Sequence, residues 1–419
     1  MKQVARLSGL LGLLGLLMLS GCGGGGSSAS TAPSQDSFAG GGSNVVAMTV
    51  EPGPAGSGAQ PFNQPYVSVK ICVPGGACAT IGGILVDTGS YGLRVMNSVL
   101  TGAGITLPAM ADPLVVGNTI QECLPFADGY AWGQVSLASV SIGGEASSGS
   151  VPIQVINDSA SPMPAVPASC QNGSSLNNVD QLGANGILGV GVFASDCGSY
   201  CAQTPAPAQE IYYSCTTAGT CAMTSQAVAS QVTNPVAYFP VDNNGVILQL
   251  PSVSTSGAPV ASGYLVFGIG TEANNALGSA HVLTADDEGN FTTNFNSQAL
   301  TSSFIDSGSN ALFFNDSSLA LCGSTAPDNE FYCPNATASL TATNEGQNGT
   351  TTQVGFSIAN LNNLSGANFA LDDTGGPATP ISGFGSYFDW GVPFFYGRTI
   401  FFALEGTTAG GTAGPYYAY

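Results

Sequence analysis

Positive charge is the scarcest feature of this sequence. Its 419 residues include five Lys and Arg against 25 Asp and Glu, and the formal net charge is −20. Proteins bind nucleic acids largely through Lys and Arg that neutralise phosphates, so we expect no nucleic-acid partner. So few cations also mean that ion pairs cannot be a general source of stability. At low pH the acids lose their charge and their mutual repulsion, which favours acid tolerance.

Metal-binding patterns are also missing. His281 is the only histidine, and no Cys-x-x-Cys spacing occurs among the cysteines. Protein zinc sites are usually built from closely spaced Cys and His. We therefore expect no metal and no other cofactor.

Long helical stripes and heptads are absent, whereas short alternating apolar runs are common. Gly, Pro, Asn and Ser separate these runs, a pattern typical of β-strands joined by turns. Apolar residues make up 44% of the chain, enough for a sizeable core. The length suits two or three domains or one large two-lobed protein. We predict a mainly β fold.

The N-terminus reads as a targeting leader. Lys2 and Arg6 precede an apolar stretch over residues 10–19 that is too short to span a bilayer. The sequence LSGC ending at Cys22 resembles a bacterial lipobox, which implies cleavage before Cys22 and a lipid on its thiol. By the same resemblance, Gly23 favours the outer membrane of the cell envelope. An ordinary secretory signal with a chance cysteine is the alternative.

Residues 23–60 are predicted to be a flexible tether. This segment is rich in Gly, Ser, Ala and Pro and contains no Lys or Arg. A random coil of that length would hold the folded body roughly 30–35 Å from the lipid.

The cysteines indicate an oxidising compartment. There are eleven, and without Cys22 their number is even, as expected for a set of disulfides. Close spacing predicts four local bonds and leaves two cysteines for a longer one. The predicted pairs are Cys72–Cys78, Cys197–Cys201, Cys215–Cys221, Cys322–Cys333 and Cys123–Cys170.

Two motifs place an acid at the end of an apolar strand. Residues 84–90 read ILVDTGS and residues 304–309 read FIDSGS. An acid is costly to bury unless it is hydrogen-bonded or paired. The adjacent Thr or Ser offers a hydroxyl, and Gly lets the backbone turn tightly around the carboxyl group. A third copy, DTG at residues 373–375, has no apolar lead-in and is predicted to be a turn.

Asp87 and Asp306 are the candidate catalytic residues. If the two turns face each other, their carboxyl groups share one proton, so that one acts as base and the other as acid. Taken singly, each motif is equally well explained as a strand running into a turn. The pairing of the motifs and the near-equal division of the chain around them favour chemistry.

A series of segments resembles the pepsin-like aspartic peptidases, in the order of that family. They are the first active-site turn at residues 87–93, a flap hairpin and its following strand at residues 126–144, an apolar-apolar-Gly strand at residues 185–191, an opening strand at residues 263–270, the second turn at residues 306–312 and closing strands at residues 390–403. The resemblance implies a bilobal acid-protease fold of two pseudo-symmetric β lobes with a cleft between them. The N-terminal lobe would span residues 61–232, with a Cys-rich insertion at 194–232, and the C-terminal lobe residues 233–419.

The same resemblance implies a role for each neighbour of the Asp pair. Asp87 and Asp306 would activate a water molecule, with hydroxyls against their outer oxygens and cross-bracing between the turns. The bracing residues would be Thr88, Gly89, Ser90, Ser307, Gly308 and Ser309. The flap residues that contact substrate would be Phe126, Asp128, Gly129 and Tyr130.

Two positions depart from the family pattern. Phe126 replaces the flap tyrosine and has no hydroxyl, and Arg94 replaces a tryptophan that normally bonds to that tyrosine. Arg94 is expected to pair structurally, with Glu122 or Asp128, or else to lower a pKa of the Asp pair. Tyr130 either supplies a replacement hydroxyl or is an exposed aromatic of the turn.

The leading hypothesis is a monomeric, lipid-anchored endopeptidase that acts on polypeptides. The alternative is a non-catalytic protein of the same fold that binds a peptide or a polysaccharide in the cleft. A third class, a surface or adhesion lipoprotein, is disfavoured because no repeat period is visible. The sequence also resembles bacterial lipoproteins of unknown function.

Overall fold

The computed structural model describes most of the chain after residue 40. The described residues are 41–55, 57, 61–127, 129–158, 164–204, 211–364, 366–380 and 384–419. The predicted leader, Cys22, most of the predicted tether and Asp128 lie outside them. Over the described ranges, no helix has the length and apolar character needed to cross a membrane.

The protein is mainly β, as predicted. Its strands are β1 (Val45–Val50), β2 (Pro65–Cys72), β3 (Cys78–Asp87), β4 (Tyr91–Met96), β5 (Thr119–Phe126), β6 (Gly129–Ile142), β7 (Glu145–Ala146), β8 (Val151–Ile156), β9 (Ser174–Ser175), β10 (Gly186–Val190), β11 (Tyr212–Cys215), β12 (Cys221–Met223), β13 (Gly245–Leu250), β14 (Ala261–Phe267), β15 (Val282–Thr284), β16 (Phe291–Phe295), β17 (Gln298–Ile305), β18 (Leu312–Phe313), β19 (Ala338–Glu345), β20 (Thr351–Ile358), β21 (Gly375–Gly376), β22 (Asp389–Trp390), β23 (Arg398–Ala403), β24 (Thr408–Ala409), β25 (Thr412–Ala413) and β26 (Tyr416–Ala418).

The helices are short. The α-helices are α1 (Asn97–Gly102), α2 (Val179–Leu182) and α3 (Gly198–Cys201). The 3₁₀ helices are Ala168–Cys170, Val228–Ser230, Pro235–Tyr238, Asp328–Glu330, Leu361–Asn363 and Val392–Phe395.

Two sheets hold almost all of the strands. A 17-stranded sheet contains β1 to β15 together with β23 and β26, and a 7-stranded sheet contains β16 to β22. β24 and β25 form a separate pair. The large sheet includes strands from both sides of the predicted boundary at residue 232, whereas the smaller sheet lies wholly after it.

Part of the predicted tether forms strand β1. β1 pairs antiparallel with β14, from Val45 opposite Val266 to Val50 opposite Ala261, and it also meets β2. Met48 and Val50 are fully buried in the main core. The prediction was wrong here because an apolar strand follows a Gly- and Ser-rich stretch, and its main partner is far away in the sequence.

All five predicted disulfides are present. Cys72–Cys78 closes the β2–β3 hairpin and Cys215–Cys221 closes the β11–β12 hairpin. The other three are Cys197–Cys201, Cys322–Cys333 and Cys123–Cys170, of which the last is the longest at 47 residues. Close spacing therefore identified the bonds correctly.

Aromatic side chains fill the core beneath the second Asp motif. The rings of Phe314 and Phe388 stack with centroids 4.7 Å apart, and those of Phe388 and Trp390 stack at 4.0 Å. All three side chains are fully buried. Such rings pack rigidly, so β22, which carries Trp390, is held firmly behind the motif.

Candidate active site

The first Asp turn lies at the end of a buried strand. β3 ends on Asp87, and β4 leaves the turn at Tyr91. Between them runs β10, parallel to β3 and antiparallel to β4, with Gly189 opposite Asp87. A Cβ atom on Gly189 would lie 2.7 Å from the Tyr91 nitrogen, so only glycine permits this approach. The apolar-Gly strand thus crosses behind the turn.

The second Asp turn repeats this arrangement. β17 ends just before Asp306, and β22 pairs parallel with β17 and antiparallel with β18. The Asp306 N–H donates to the Trp390 carbonyl at 3.0 Å. A Cβ atom on Gly391 would lie 2.2 Å from the Ala311 oxygen. Gly391 therefore permits a close backbone approach behind the second turn, as Gly189 does behind the first.

Thr88 and Ser307 hold the two turns together by four hydrogen bonds. The backbone N–H of each residue donates to the hydroxyl of the other, at 3.1 Å and 2.9 Å. The Thr88 hydroxyl donates to the Ile305 carbonyl at 3.1 Å, and the Ser307 hydroxyl donates to the Val86 carbonyl at 2.7 Å. Both side chains are buried. Residues 219 positions apart are thus joined reciprocally.

We expect Ser307→Ala to destabilise the protein by about 2–4 kcal/mol, because the Thr88 N–H and the Val86 carbonyl would both stay buried without this partner. Denaturant unfolding with the disulfides intact measures this. The exposed Ser339 on β19 provides the control, since Ser339→Ala should change stability by less than about 0.5 kcal/mol. Equal effects at the two serines would contradict the bracing role.

The carboxyl groups of Asp87 and Asp306 face each other across the turns. The Gly89 N–H lies 2.8 Å from Asp87 Oδ1 and 3.1 Å from Asp306 Oδ1. The Gly308 N–H donates to Asp306 Oδ1 at 2.7 Å. A Cβ atom on Gly89 would lie 2.5 Å from Asp306 Cγ, so the glycine makes room for the opposite carboxyl group.

A serine hydroxyl contacts the outer oxygen of each acid. Ser90 donates to Asp87 Oδ2 at 2.6 Å, and Ser309 donates to Asp306 Oδ2 at 2.8 Å. The structure therefore brings together all eight residues predicted for the pair and its braces.

The pair holds a proton near neutral pH. Burial, and then the negative charge of Asp306, raise the pKa of Asp87 to about 7, against the opposing hydrogen bonds from Ser90 and Gly89. Two carboxylates this close cannot both be ionised without strong repulsion. The pair therefore retains one proton below that pH.

We expect the protein to lose stability as the pH rises from about 4 to about 7. Over this range folded Asp87 binds a proton that the unfolded chain has released, so folding takes up protons and becomes less favourable at higher pH. Burial also raises the pKa of Asp372, to about 6, so this residue adds to the loss of stability with rising pH. Thermal unfolding across this range measures the slope, and Asp87→Asn should make it smaller. An unchanged slope in that variant would contradict the assignment.

The predicted flap hairpin forms, but its tip is anchored. β5 and β6 pair up to Phe126 opposite Gly129, and Gly129 also pairs with Ser174 in β9. Tyr130 is buried against the Cys123–Cys170 disulfide, so it is not an exposed aromatic of the turn. Phe126 packs on a core cluster that includes Leu85. Among the described residues of this tip, none is hydrogen-bonded to Asp87 or Asp306, and the predicted substrate role stays a prediction.

Apart from Thr88 and Gly89, the residues that line the cavity beside the Asp pair were not predicted as site residues. This cavity has a volume of about 190 Å³. Its lining residues are Thr88, Gly89, Tyr91, Glu288, Gly289, Asn290, Phe304, Phe384 and Tyr417. Tyr91 and Phe304 adjoin the two motifs in sequence, and this proximity was the available signal. Tyr417 and Phe384 come from distant segments, and nothing in the sequence indicated that they line this cavity.

Arg94 is paired structurally. It is fully buried, and its Nη2 lies 2.7 Å from Glu122 Oε1, one of the two partners expected, and 3.2 Å from Asp196 Oδ2. Burial and the neighbouring Glu122 raise the pKa of Asp196, which also accepts a hydrogen bond from Tyr212 at 2.7 Å. The groups that shift the pKa of Asp87 do not include Arg94. Arg94 therefore neutralises a buried acidic cluster.

The third DTG copy begins in a turn at Asp373, as predicted, but its glycine begins strand β21. Its Thr374 carbonyl accepts a hydrogen bond from the Leu312 N–H at 3.1 Å, just after the second Asp turn. Asn63 links the two by donating to Thr374 Oγ1 at 3.1 Å and to the Asn310 carbonyl at 2.8 Å. This copy supports the second Asp turn and is not a third acid of the pair.

Fold and site together define a mainly β protein in which two similar Asp turns are locked face to face. The chain belongs to the family described as "Protein of unknown function (DUF3443)", whose family model matches residues 40–419. No curated protein matches the sequence. The matched region includes both Asp turns and β1. Over the described part of the chain, no cluster of His, Cys, Asp or Glu has the arrangement of a metal site.

Proposed function

We propose that this protein is a pepsin-like aspartic endopeptidase that hydrolyses peptide bonds with a water molecule activated by Asp87 and Asp306. The observation that carries the proposal is the mutual approach of two carboxyl groups, one buried (Asp87) and one partly buried (Asp306), each bonded by a glycine N–H and a serine hydroxyl. A plain strand-to-turn junction would not need two such turns joined by reciprocal bonds.

The charge state of the pair assigns a role to each acid. Ionised Asp306 takes a proton from the water as its oxygen attacks the substrate carbonyl carbon, while protonated Asp87 donates to the carbonyl oxygen. When the resulting diol collapses, Asp306 gives its proton to the leaving amine and Asp87 regains its own from a diol hydroxyl. The pair returns to its starting state, and no covalent intermediate is formed.

We also propose the bilobal arrangement that goes with this activity. The repeated arrangement of strand, Asp turn and crossing strand, once in β3, β4 and β10 and once in β17, β18 and β22, supports two related lobes. The cavity beside Gly89 would then be part of the cleft between them, and its aromatic lining suits apolar substrate side chains.

The proposed location is the bacterial cell envelope, with a lipid on Cys22 holding the protein to the outer membrane. Five disulfides support an oxidising compartment. Cys22→Ser should abolish palmitate labelling and move the protein from the membrane fraction to the soluble fraction. Labelling that persists in this variant would contradict the lipid anchor.

A direct assay tests the activity. The chain from residue 41, which retains β1, is incubated with a denatured protein at pH values from acidic to neutral. We expect cleavage that a statine-type inhibitor blocks, since its hydroxyl mimics the diol between the two acids. A serine-protease inhibitor provides the negative control. Cleavage that the statine leaves unchanged would contradict the mechanism.

The second candidate is a non-catalytic protein of the same fold that binds a peptide or a polysaccharide in the cleft. Phe126, which lacks the hydroxyl of the family's flap tyrosine, favours it, as does the anchoring of the hairpin tip by β9. A folded protein that cleaves nothing but binds the statine peptide would support this candidate.

A further inference from the structure

A single serine hydroxyl lies between two carboxyl groups at the second Asp turn. Ser309 Oγ is 2.8 Å from Asp306 Oδ2 and 2.7 Å from Asp389 Oδ2. Both distances are those of O–H···O hydrogen bonds, and each bond needs its own hydrogen. A hydroxyl carries only one. The other hydrogen must therefore belong to one of the two carboxyl groups.

The surroundings of Asp389 favour the neutral form of this acid. Asp389 is only 6% exposed, and its sequence neighbours Phe388 and Trp390 are fully buried. The strands paired with it, β17 and β18, carry no titratable residue. Among the described residues, the titratable groups near it include Asp306, which shares the Ser309 hydroxyl with it, and Tyr387, whose pKa is raised to about 12, chiefly by burial. A buried acid beside other acids retains its proton.

The first Asp turn has no such third acid. Behind that turn Ile187 pairs with Arg94, whereas behind the second turn Asp389 pairs with Phe313 at the matching position. Ser90 gives its hydrogen to Asp87 alone. The two turns are alike in backbone and differ in this one carboxyl group, which makes the pair chemically asymmetric.

We propose that Asp389 is a positioning residue of the Asp pair: it is held protonated and donates to Ser309, whose own hydrogen then goes to Asp306 and makes Asp306 the ionised member. Only the catalytic consequence of this inference rests on the proposed function. The arrangement of the hydrogens can be tested without any substrate.

The direction of the effect follows from the single hydroxyl hydrogen. A serine that accepts a hydrogen bond is a stronger donor, so protonated Asp389 strengthens the bond to Asp306 and favours its ionised form. An ionised Asp389 would compete for the same hydrogen, and Asp306 would lose a donor. Asn at position 389 keeps an N–H donor for Ser309, whereas Leu does not.

The first test is a carboxyl ¹³C NMR titration of protein labelled with ¹³C-aspartate. We expect Asp389 to remain protonated at neutral pH. Asp389→Leu should raise the proton affinity of Asp306 severalfold, and Asp389→Asn should leave it near the wild-type value. Circular dichroism checks that each variant is folded. If the Leu variant does not fold, the titrations of the wild type and of Asp389→Asn still test the proposal. An Asp389 that is ionised at neutral pH overturns the proposal.

The second test is the pH profile of kcat/KM for peptide hydrolysis. Its acidic limb should shift to higher pH in Asp389→Leu and in Ser309→Ala, and stay in place in Asp389→Asn. A merely structural role would lower activity at every pH without moving the limb, and that result would overturn the proposal. If no variant and no wild type hydrolyses peptides while the NMR result holds, the proposed function fails and the positioning role of Asp389 stands.

Discussion

Asp306→Asn is expected to leave a folded protein that hydrolyses peptides about 10²–10⁴-fold more slowly, the usual contribution of a positioned general base. Asn has nearly the same shape as Asp and can still accept the Gly308 N–H bond, so the turn should survive. It cannot take a proton from water. Asp87→Asn should cause a loss of similar size because it removes the acid.

The comparison uses kcat/KM on a fluorogenic peptide for each variant. Asp373→Asn is a matched control, since Asp373 begins the third DTG copy and lies in a turn that only supports the second Asp turn. It should retain most of the activity. Full activity in Asp306→Asn, or an equal loss in a folded Asp373→Asn, would contradict the assignment of the pair.

Arg94→Met is expected to lower the free energy of unfolding by about 3–5 kcal/mol, the typical result of removing one partner from a buried ion pair. Without the guanidinium, Glu122 and Asp196 remain buried side by side with no cation, and at least one must take up a proton. Changing these acids to Gln and Asn in the same variant should recover much of the loss.

Lys70→Met is the control for this result, because Lys70 is exposed on β2 and its replacement removes the same charge. It should alter stability by less than about 0.5 kcal/mol. Urea unfolding at fixed pH with intact disulfides gives both values. Similar losses at the two positions would mean that net charge, and not the buried cluster, determines the stability.

The features that the sequence predicted correctly are local ones. An apolar strand that ends on Asp-Thr-Gly carries its strand, its turn and its bonding groups within a few residues, and the repeat at Asp306 carries the same set. Disulfides between cysteines four to eleven residues apart are nearly dictated by chain length. Arg94 had few acids that could reach it in the predicted hairpin, and Glu122 was one of them.

The features that were missed depend on contacts between distant segments. β1 reads as part of a Gly-rich tether until β14 is placed beside it. Tyr130 has the sequence position of a flap residue, but the Cys123–Cys170 disulfide gives it a buried site. Asp389 has no motif at all, and only its distance from Ser309 reveals it. Sequence pattern and residue spacing cannot predict such contacts, because tertiary packing determines them.

The pairing of β1 with β14 sets the order in which this protein can finish folding. The N-terminal strand is synthesised first, and the Asn44 amide beside it finds its acceptor, the Phe267 carbonyl, only 223 residues later. Until then the nascent sheet has an open edge that could recruit the same strand from a neighbouring molecule. A chain shortened to begin at residue 61 would keep that edge permanently and should associate through it or capture an added β1 peptide.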